Sequence, residues 1–161
     1  MKNQLIICLI SLFWLAGCSE QSPNKGEVSV LKDDIPWKVK IWADKENDRF
    51  NVALTKEVEA CILAQLSIHD IPNQVGVYPL VYNPSATGIH IPTAIYHTLD
   101  CDVLLKRYET KDSTAFDNFI EVTKVRRNCI AGRFEVMLNF EGNENDTIRF
   151  TEGVFETRTI R

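Results

Sequence analysis

The sequence predicts an all-β domain, an antiparallel meander of about eight strands arranged as a lipocalin-like barrel or a β-sandwich. Three observations carry this expectation. Apolar residues recur with period two from Pro36 onward. The alternating runs are short and are separated by polar clusters, as consecutive strands require. In the last third, Ile130, Phe134, Val136, Leu138 and Phe140 share one face of a run that follows the turn Arg126-Arg127-Asn128.

Taken in order, Trp37, Val39, Ile41 and Ala43 alternate with Lys38, Lys40, Trp42 and Asp44, which is the pattern of a half-buried strand; residues 44–48 form a polar turn. Phe50, Val52 and Leu54 begin the next strand. Residues 56–67 satisfy two periods. Glu57, Glu59, Ala60, Leu63, Ala64 and Leu66 suit a helix, whereas Ala60, Ile62, Ala64, Leu66 and Ile68 suit a strand, and the stretch is assigned to strand. Residues 70–74 are expected to turn, and residues 76–82 to form a strand with an open side, because Pro79 has no N–H to donate. Residues 83–88 have loop composition. Residues 89–96 form a strand interrupted by Pro92, followed by another at 103–108. Strands at 119–125 and 130–140 then pair through the turn between them. Residues 142–146 turn again, and Thr147-Ile148-Arg149-Phe150 with Val154-Phe155-Glu156-Thr157 closes the sheet. Gly132 and Gly153 sit inside strand patterns, where glycine marks a bulge or a close backbone approach.

The N-terminus carries an address. Lys2 precedes an apolar run over residues 5–16. A helix of that length spans about 18 Å, short of the ~30 Å hydrocarbon core, so the run is a secretory signal rather than a membrane span. Leu15-Ala16-Gly17-Cys18 is similar to the lipobox of bacterial lipoproteins. The resemblance implies cleavage before Cys18 and lipid on its thiol. The expected organisation is a signal peptide at 1–17, a lipidated tether at 18–34 and a β domain at 35–161. The tether is polar, with Ser22, Pro23, Gly26 and Ser29, and could reach about 50 Å. Ser19 after the lipidated residue, in place of Asp, points to the outer membrane, with the domain in the periplasm or at the cell surface.

At 161 residues the chain is long enough to bury a core of its own as one domain. Its formal charge is −4, and loss of residues 1–17 removes one Lys and no acid. An acidic body argues against nucleic acid as a partner and leaves the lipid, not surface charge, to hold the membrane.

The segments Asn118-Phe119-Ile120-Glu121-Val122-Thr123-Lys124, Ile130-Ala131-Gly132-Arg133-Phe134-Glu135-Val136 and Asp146-Thr147-Ile148-Arg149-Phe150-Thr151-Glu152-Gly153-Val154-Phe155 resemble a family of small Bacteroidota-type lipoproteins of unknown function. Trp42-Ala43 and Ile71-Pro72 followed by Gly76-Val77-Tyr78 resemble it as well. That family has no assigned chemistry, so the resemblance implies no catalytic residue.

The candidate chemistry is sparse. His69, His90 and His97 lack the spacing of a metal set, and no metal or cofactor is expected. On a continuous strand, His90 and His97 fall on opposite faces. Cys61, Cys101 and Cys129 remain for disulfide formation in an oxidising compartment, with the pairing open. In a simple meander Cys101 and Cys129 begin strands at the same end, flanking the strand of Phe119. Asp100, Asp102, Asp117, Glu121 and Glu135 are scattered on polar faces. Asp112-Ser113-Thr114 and Asp146-Thr147-Ile148 resemble short O-glycan acceptor sites. The expected function is a membrane-anchored, non-enzymatic binding or accessory β domain for a protein or glycan ligand. The alternative is an envelope hydrolase using carboxylates or a Cys–His pair.

Overall fold

The computed structural model of the protein describes residues 26–57, 62–82, 90–110, 117–141 and 143–159. Among them the chain is all-β, with eleven strands and no helix. In order these are β1 (Glu27–Lys32), β2 (Ile35–Pro36), β3 (Lys40–Glu46), β4 (Arg49–Glu57), β5 (Ile62–Pro72), β6 (Gly76–Pro79), β7 (Thr93–Asp100), β8 (Val103–Thr110), β9 (Phe119–Arg126), β10 (Cys129–Phe140) and β11 (Asn143–Arg158). They form one antiparallel sheet in the order β2-β1-β11-β10-β8-β7-β5-β4-β3, with β9 on β10 and β6 on β9. A single parallel bridge, Ala43 to Thr159, brings β3 near the end of the chain. The sheet curls without closing into a barrel, and the fold is sandwich-like.

The topology is set at β10. Along one edge β10 pairs with β11 over nearly its whole length. Along the other edge, Cys129 to Glu135 pair with β9, and Leu138 to Phe140 pair with β8. The sheet therefore splits into two limbs, β9-β6 and β8-β7-β5-β4-β3. Met137 lies in the gap between them, and the side chain of Asn118 fills it. Asn118 Oδ1 accepts from the Met137 N–H at 2.7 Å, and its Nδ2 donates to the Met137 carbonyl at 3.4 Å. One amide side chain thus stands in for a strand.

Period-two patterning places the core. Ile41, Ala43, Val52, Leu54, Leu66, Ile68, Ala94, Tyr96, Phe134, Val136, Leu138 and Phe150 point inward and are buried. Across the curl, Trp37 packs on Tyr96 and Phe150 with ring centroids 6.0 and 5.2 Å apart, and Tyr96 lies 5.4 Å from Phe150. Tyr108 then meets Phe140 at 5.5 Å. The contacts among Trp37, Tyr96 and Phe150 join parts of the chain that are not neighbours in the sheet, and so hold the curl, while Tyr108 and Phe140 are partners across the β8–β10 ladder. Burial and the nearby Tyr108 and Asp33 push the Tyr96 hydroxyl up to about 12.

Several expectations from the sequence are corrected. Part of the expected tether is strand: β1 places Val28 and Val30 inward and Glu27 and Ser29 outward, against β11. Trp37 precedes β3, and Ile35–Pro36 folds back on β1 instead. The β1–β2 and β3–β4 turns are Asp33-Asp34 and Asn47-Asp48, all four residues with positive φ, as two-residue type I′ hairpins require. Asp70 is not in a turn but inside β5, as a bulge with φ 58°. β11 begins at Asn143, so residues 143–146 of the expected turn are strand, and Gly142 lies outside the described residues. With β2 and β6 counted as short pieces, the strands number more than the meander expected from sequence. The loop expected at 83–88 lies outside the described residues.

The strand assignment for 62–67 holds, and Pro79 lies on an edge strand, since among the described residues β6 pairs only with β9. The two strand glycines are places of close approach. A Cβ on Gly132 would collide with the Glu121 carbonyl oxygen, beside a register shift between β9 and β10. A Cβ on Gly153 would lie 2.6 Å from the Phe134 ring, next to Glu152 at φ 53°. Phe134 is 1% exposed, so Phe134→Ala is expected to cost about 3–5 kcal/mol in urea unfolding. Because the three atoms nearest a Cβ at position 153 all belong to that ring, Gly153→Ala should cost clearly less in the Phe134→Ala background than in the wild type. Additive losses would show that the strain lies elsewhere.

Candidate functional site

The pleat that turns Ile41, Val52, Leu66, Ala94 and Tyr108 inward turns a different set outward. Across the limb one cross-strand row reads Trp42, Ala53, Ser67, Ile95, Glu109 and Asn139. The next reads Lys40, Thr55, Gln65, His97 and Arg107. With His69, these residues make a largely half-buried polar band on the outer face of β3, β4, β5, β7 and β8. Gln65 donates to the buried Ser67 hydroxyl at 2.7 Å, and Arg107 Nε donates to Glu109 at 2.6 Å.

The upper end of the band is built on the Asp70 bulge. There β4 offers Asn51 where β5 offers His69 and Asp70. Asn51 Oδ1 accepts from the Asp70 N–H at 3.1 Å, and its Nδ2 donates to Asp44 at 2.7 Å. Arg49 donates to the Asp70 carbonyl at 2.9 Å. Asp70 can hold a left-handed conformation because its displaced backbone groups find these partners. The bulge also aims its carboxylate at His90, whose Nδ1 lies 3.0 Å away.

Two imidazoles in the band are held neutral. Burial lowers the His69 pKa below its ordinary 6.5, against the opposing pull of Asp70 and Asp44. Burial also lowers that of His97, helped by Arg107 and by His69 itself. A neutral imidazole both donates and accepts, so the band presents hydrogen-bonding groups of both kinds beside the Trp42 ring.

The residues singled out from sequence do not come together. His90 precedes β7, so it is not on a strand continuous with His97. Among the described residues no three His, Cys, Asp or Glu side chains are placed to hold a metal ion. Asp100, Asp102 and Asp117 are exposed, Glu121 is ion-paired with Arg133, and Glu135 is half-buried along β10. Cys101 is disulfide-bonded. Cys129 keeps a buried thiol, which donates to Glu156 Oε1 at 3.7 Å; Lys124 binds the same oxygen at 2.8 Å. The expectation that Cys101 and Cys129 start strands at the same end fails. β8 meets the far end of β10, where Tyr108 pairs with Phe140 and not with the strand start at Cys129. Cys18, Cys61 and the acceptor at 112–114 lie outside the described residues; Thr147 is exposed on β11.

Sequence reasoning passed over Asn51 and gave Asn118 no role beyond opening one of the resembling segments. Each is an Asn at a strand position or strand entry, and that is the available signal: a side chain there can substitute for a missing backbone partner. Comparison with family models, with curated proteins and with solved structures gave no match.

The shifted imidazoles set a pH dependence. His69 and His97 bind protons more weakly when folded than when unfolded, so their contribution is complete above pH 6.5 and is lost as pH falls toward the folded pKa values. The urea midpoint is expected to drop between pH about 7.5 and about 5.5, and the His69→Gln/His97→Gln variant should show a smaller drop. An equal drop in both proteins would show that other groups govern acid stability.

Proposed function

We propose that this chain is an envelope lipoprotein anchored through Cys18, with a non-enzymatic binding or accessory β domain. The lipid places it in a membrane, in our reading the outer membrane. The domain presents its polar outer band to a protein or glycan in the periplasm or at the cell surface. No cofactor and no nucleic acid enters this reading.

The observation that carries the extracytoplasmic part is the disulfide at Cys101. Cytosolic thiols are kept reduced, whereas secreted and periplasmic chains form stable bridges. The lipobox at Leu15-Ala16-Gly17-Cys18 supplies the export route and the anchor. The three segments that resemble the lipoprotein family fall on neighbouring strands, β9, β10 and β11, and so belong to one structural unit.

Binding is favoured over a Cys–His or carboxylate hydrolase by how the candidate groups are engaged. Cys101 has no thiolate to offer, and Cys129 is directed at a carboxylate rather than an imidazole. A catalytic thiol needs a base or cations that favour the thiolate; a carboxylate partner favours the protonated form. The band's imidazoles, Gln65 and Ser67, beside Arg107 and Glu109 that engage each other, suit recognition of a polar surface by hydrogen bonding.

The anchor is testable by fractionation. The wild-type chain is expected in the membrane fraction, and Cys18→Ser in the soluble fraction, since two or more acyl chains hold a protein stably. A Cys18→Ser variant that stays with the membranes as the wild type does would contradict lipid anchoring.

A further inference from the structure

We infer that the partner of Cys101 is Cys61, in a cross-strand disulfide that fastens the entry of β5 to the exit of β7. The register carries the assignment. β5 and β7 pair without a shift from His69 and Thr93 through Ile62 and Asp100. In the sequence Cys61 immediately precedes Ile62 and Cys101 immediately follows Asp100, so each cysteine is one residue away from a member of the last described pair. Paired residues in an antiparallel ladder have Cα atoms about 4.5–5.5 Å apart, and a disulfide spans up to about 6.8 Å, so residues adjoining such a pair are candidates to be bridged.

The other described cysteine is excluded by topology as well as by its contacts. Cys129 and Phe140 are the two ends of the twelve-residue β10, about 36 Å apart along a straight strand. Tyr108 pairs with Phe140, and from there β8 runs back toward Cys101 in the direction away from Cys129. No bridge spans that distance. Cys129 instead points its thiol at Glu156.

The position explains what the bond does. Beyond Ile62 and Asp100 the β5–β7 ladder ends, and Cys101 turns the chain with φ 52° toward β8. The surface there is exposed and apolar, with Val103, Leu104 and Leu105 each more than half uncovered. Burial contributes little at this rim, and a covalent tie closes the ladder where packing does not. Formation is a thiol–disulfide exchange. The two thiols give up two protons and two electrons to a small-molecule or protein disulfide, which leaves as two thiols.

The experiment uses the purified full-length chain in detergent, equilibrated with oxidised and reduced glutathione, so its result is independent of whether Cys18 is lipidated or where the chain is sent. Trypsin leaves both cysteines in one fragment, 57–106, because no Lys or Arg separates Lys56 from Lys106. A second cut after Tyr82 divides them. The fragments holding Cys61 and Cys101 are expected to stay joined before reduction and to separate after it. In Cys61→Ser prepared without glutathione, Cys101 should take up one equivalent of alkylating reagent without reductant. Cys101 joined to any other cysteine, or both residues alkylated in the unreduced wild type, would overturn the assignment. The wild-type map decides the matter even if the variant fails to fold.

Discussion

The fold depends on one strand being shared by two neighbours on the same edge. β10 is the only described strand that pairs with three others, and everything else in the sheet is reached through it. Sharing an edge leaves a gap, and a gap in a ladder exposes a backbone N–H and C=O that have lost their partner. Each such group costs about 1–3 kcal/mol if it is left unmet in a half-buried place. Asn118 meets both at Met137. Its own backbone carbonyl accepts from the Leu80 N–H at 3.0 Å, which ties the chain after β6 to the same point. The split is therefore a built junction rather than a frayed ladder.

The split determines where the polar band lies. The limb from β8 to β3 joins β10 through the pairs at Leu138, Asn139 and Phe140, and one further bond from the Glu141 N–H to the Arg107 carbonyl. So short a ladder would let the limb swing. The ring contacts of Trp37, Tyr96, Tyr108, Phe140 and Phe150 prevent this from inside, and Tyr108 adds a hydrogen bond from its hydroxyl to Asp146 at 3.2 Å. With its inner face occupied in this way, the limb has only the outer face free to carry His69, His97, Arg107 and Glu109. On the proposed reading, binding by hydrogen bonding needs such a face on a rigid support, and the disulfide at Cys101 adds to that support.

What could be seen from the sequence was local. The alternation of Phe134, Val136 and Leu138 announces a central strand, and Gly132 and Gly153 announce close approaches, because those demands act on neighbouring residues. What could not be seen is set by distant pairing. Asp70-Ile71-Pro72 has the composition of a turn, but a left-handed Asp serves a bulge equally well once Asn51 lies opposite. Residues 142–146 are equally turn-like, yet pairing with Asn139 and Phe140 draws Asn143 and its successors into β11. Val28 and Val30 carried the alternation of β1 inside a stretch dominated by Ser, Pro and Gly. The role of Asn118, like the separation of Cys101 from Cys129, follows from which strand ends where, which no local pattern encodes.

Hydrogen exchange at a single amide addresses the junction directly. In the wild-type protein the Met137 amide should exchange as slowly as those of Val136 and Leu138, although neither β8 nor β9 pairs with it on that edge. In Asn118→Ala it should exchange much faster, while the Phe134 amide, paired to β11 and β9, keeps its protection. If Met137 stays as protected as its neighbours without the Asn118 side chain, the sheet does not divide at β10 in the manner described.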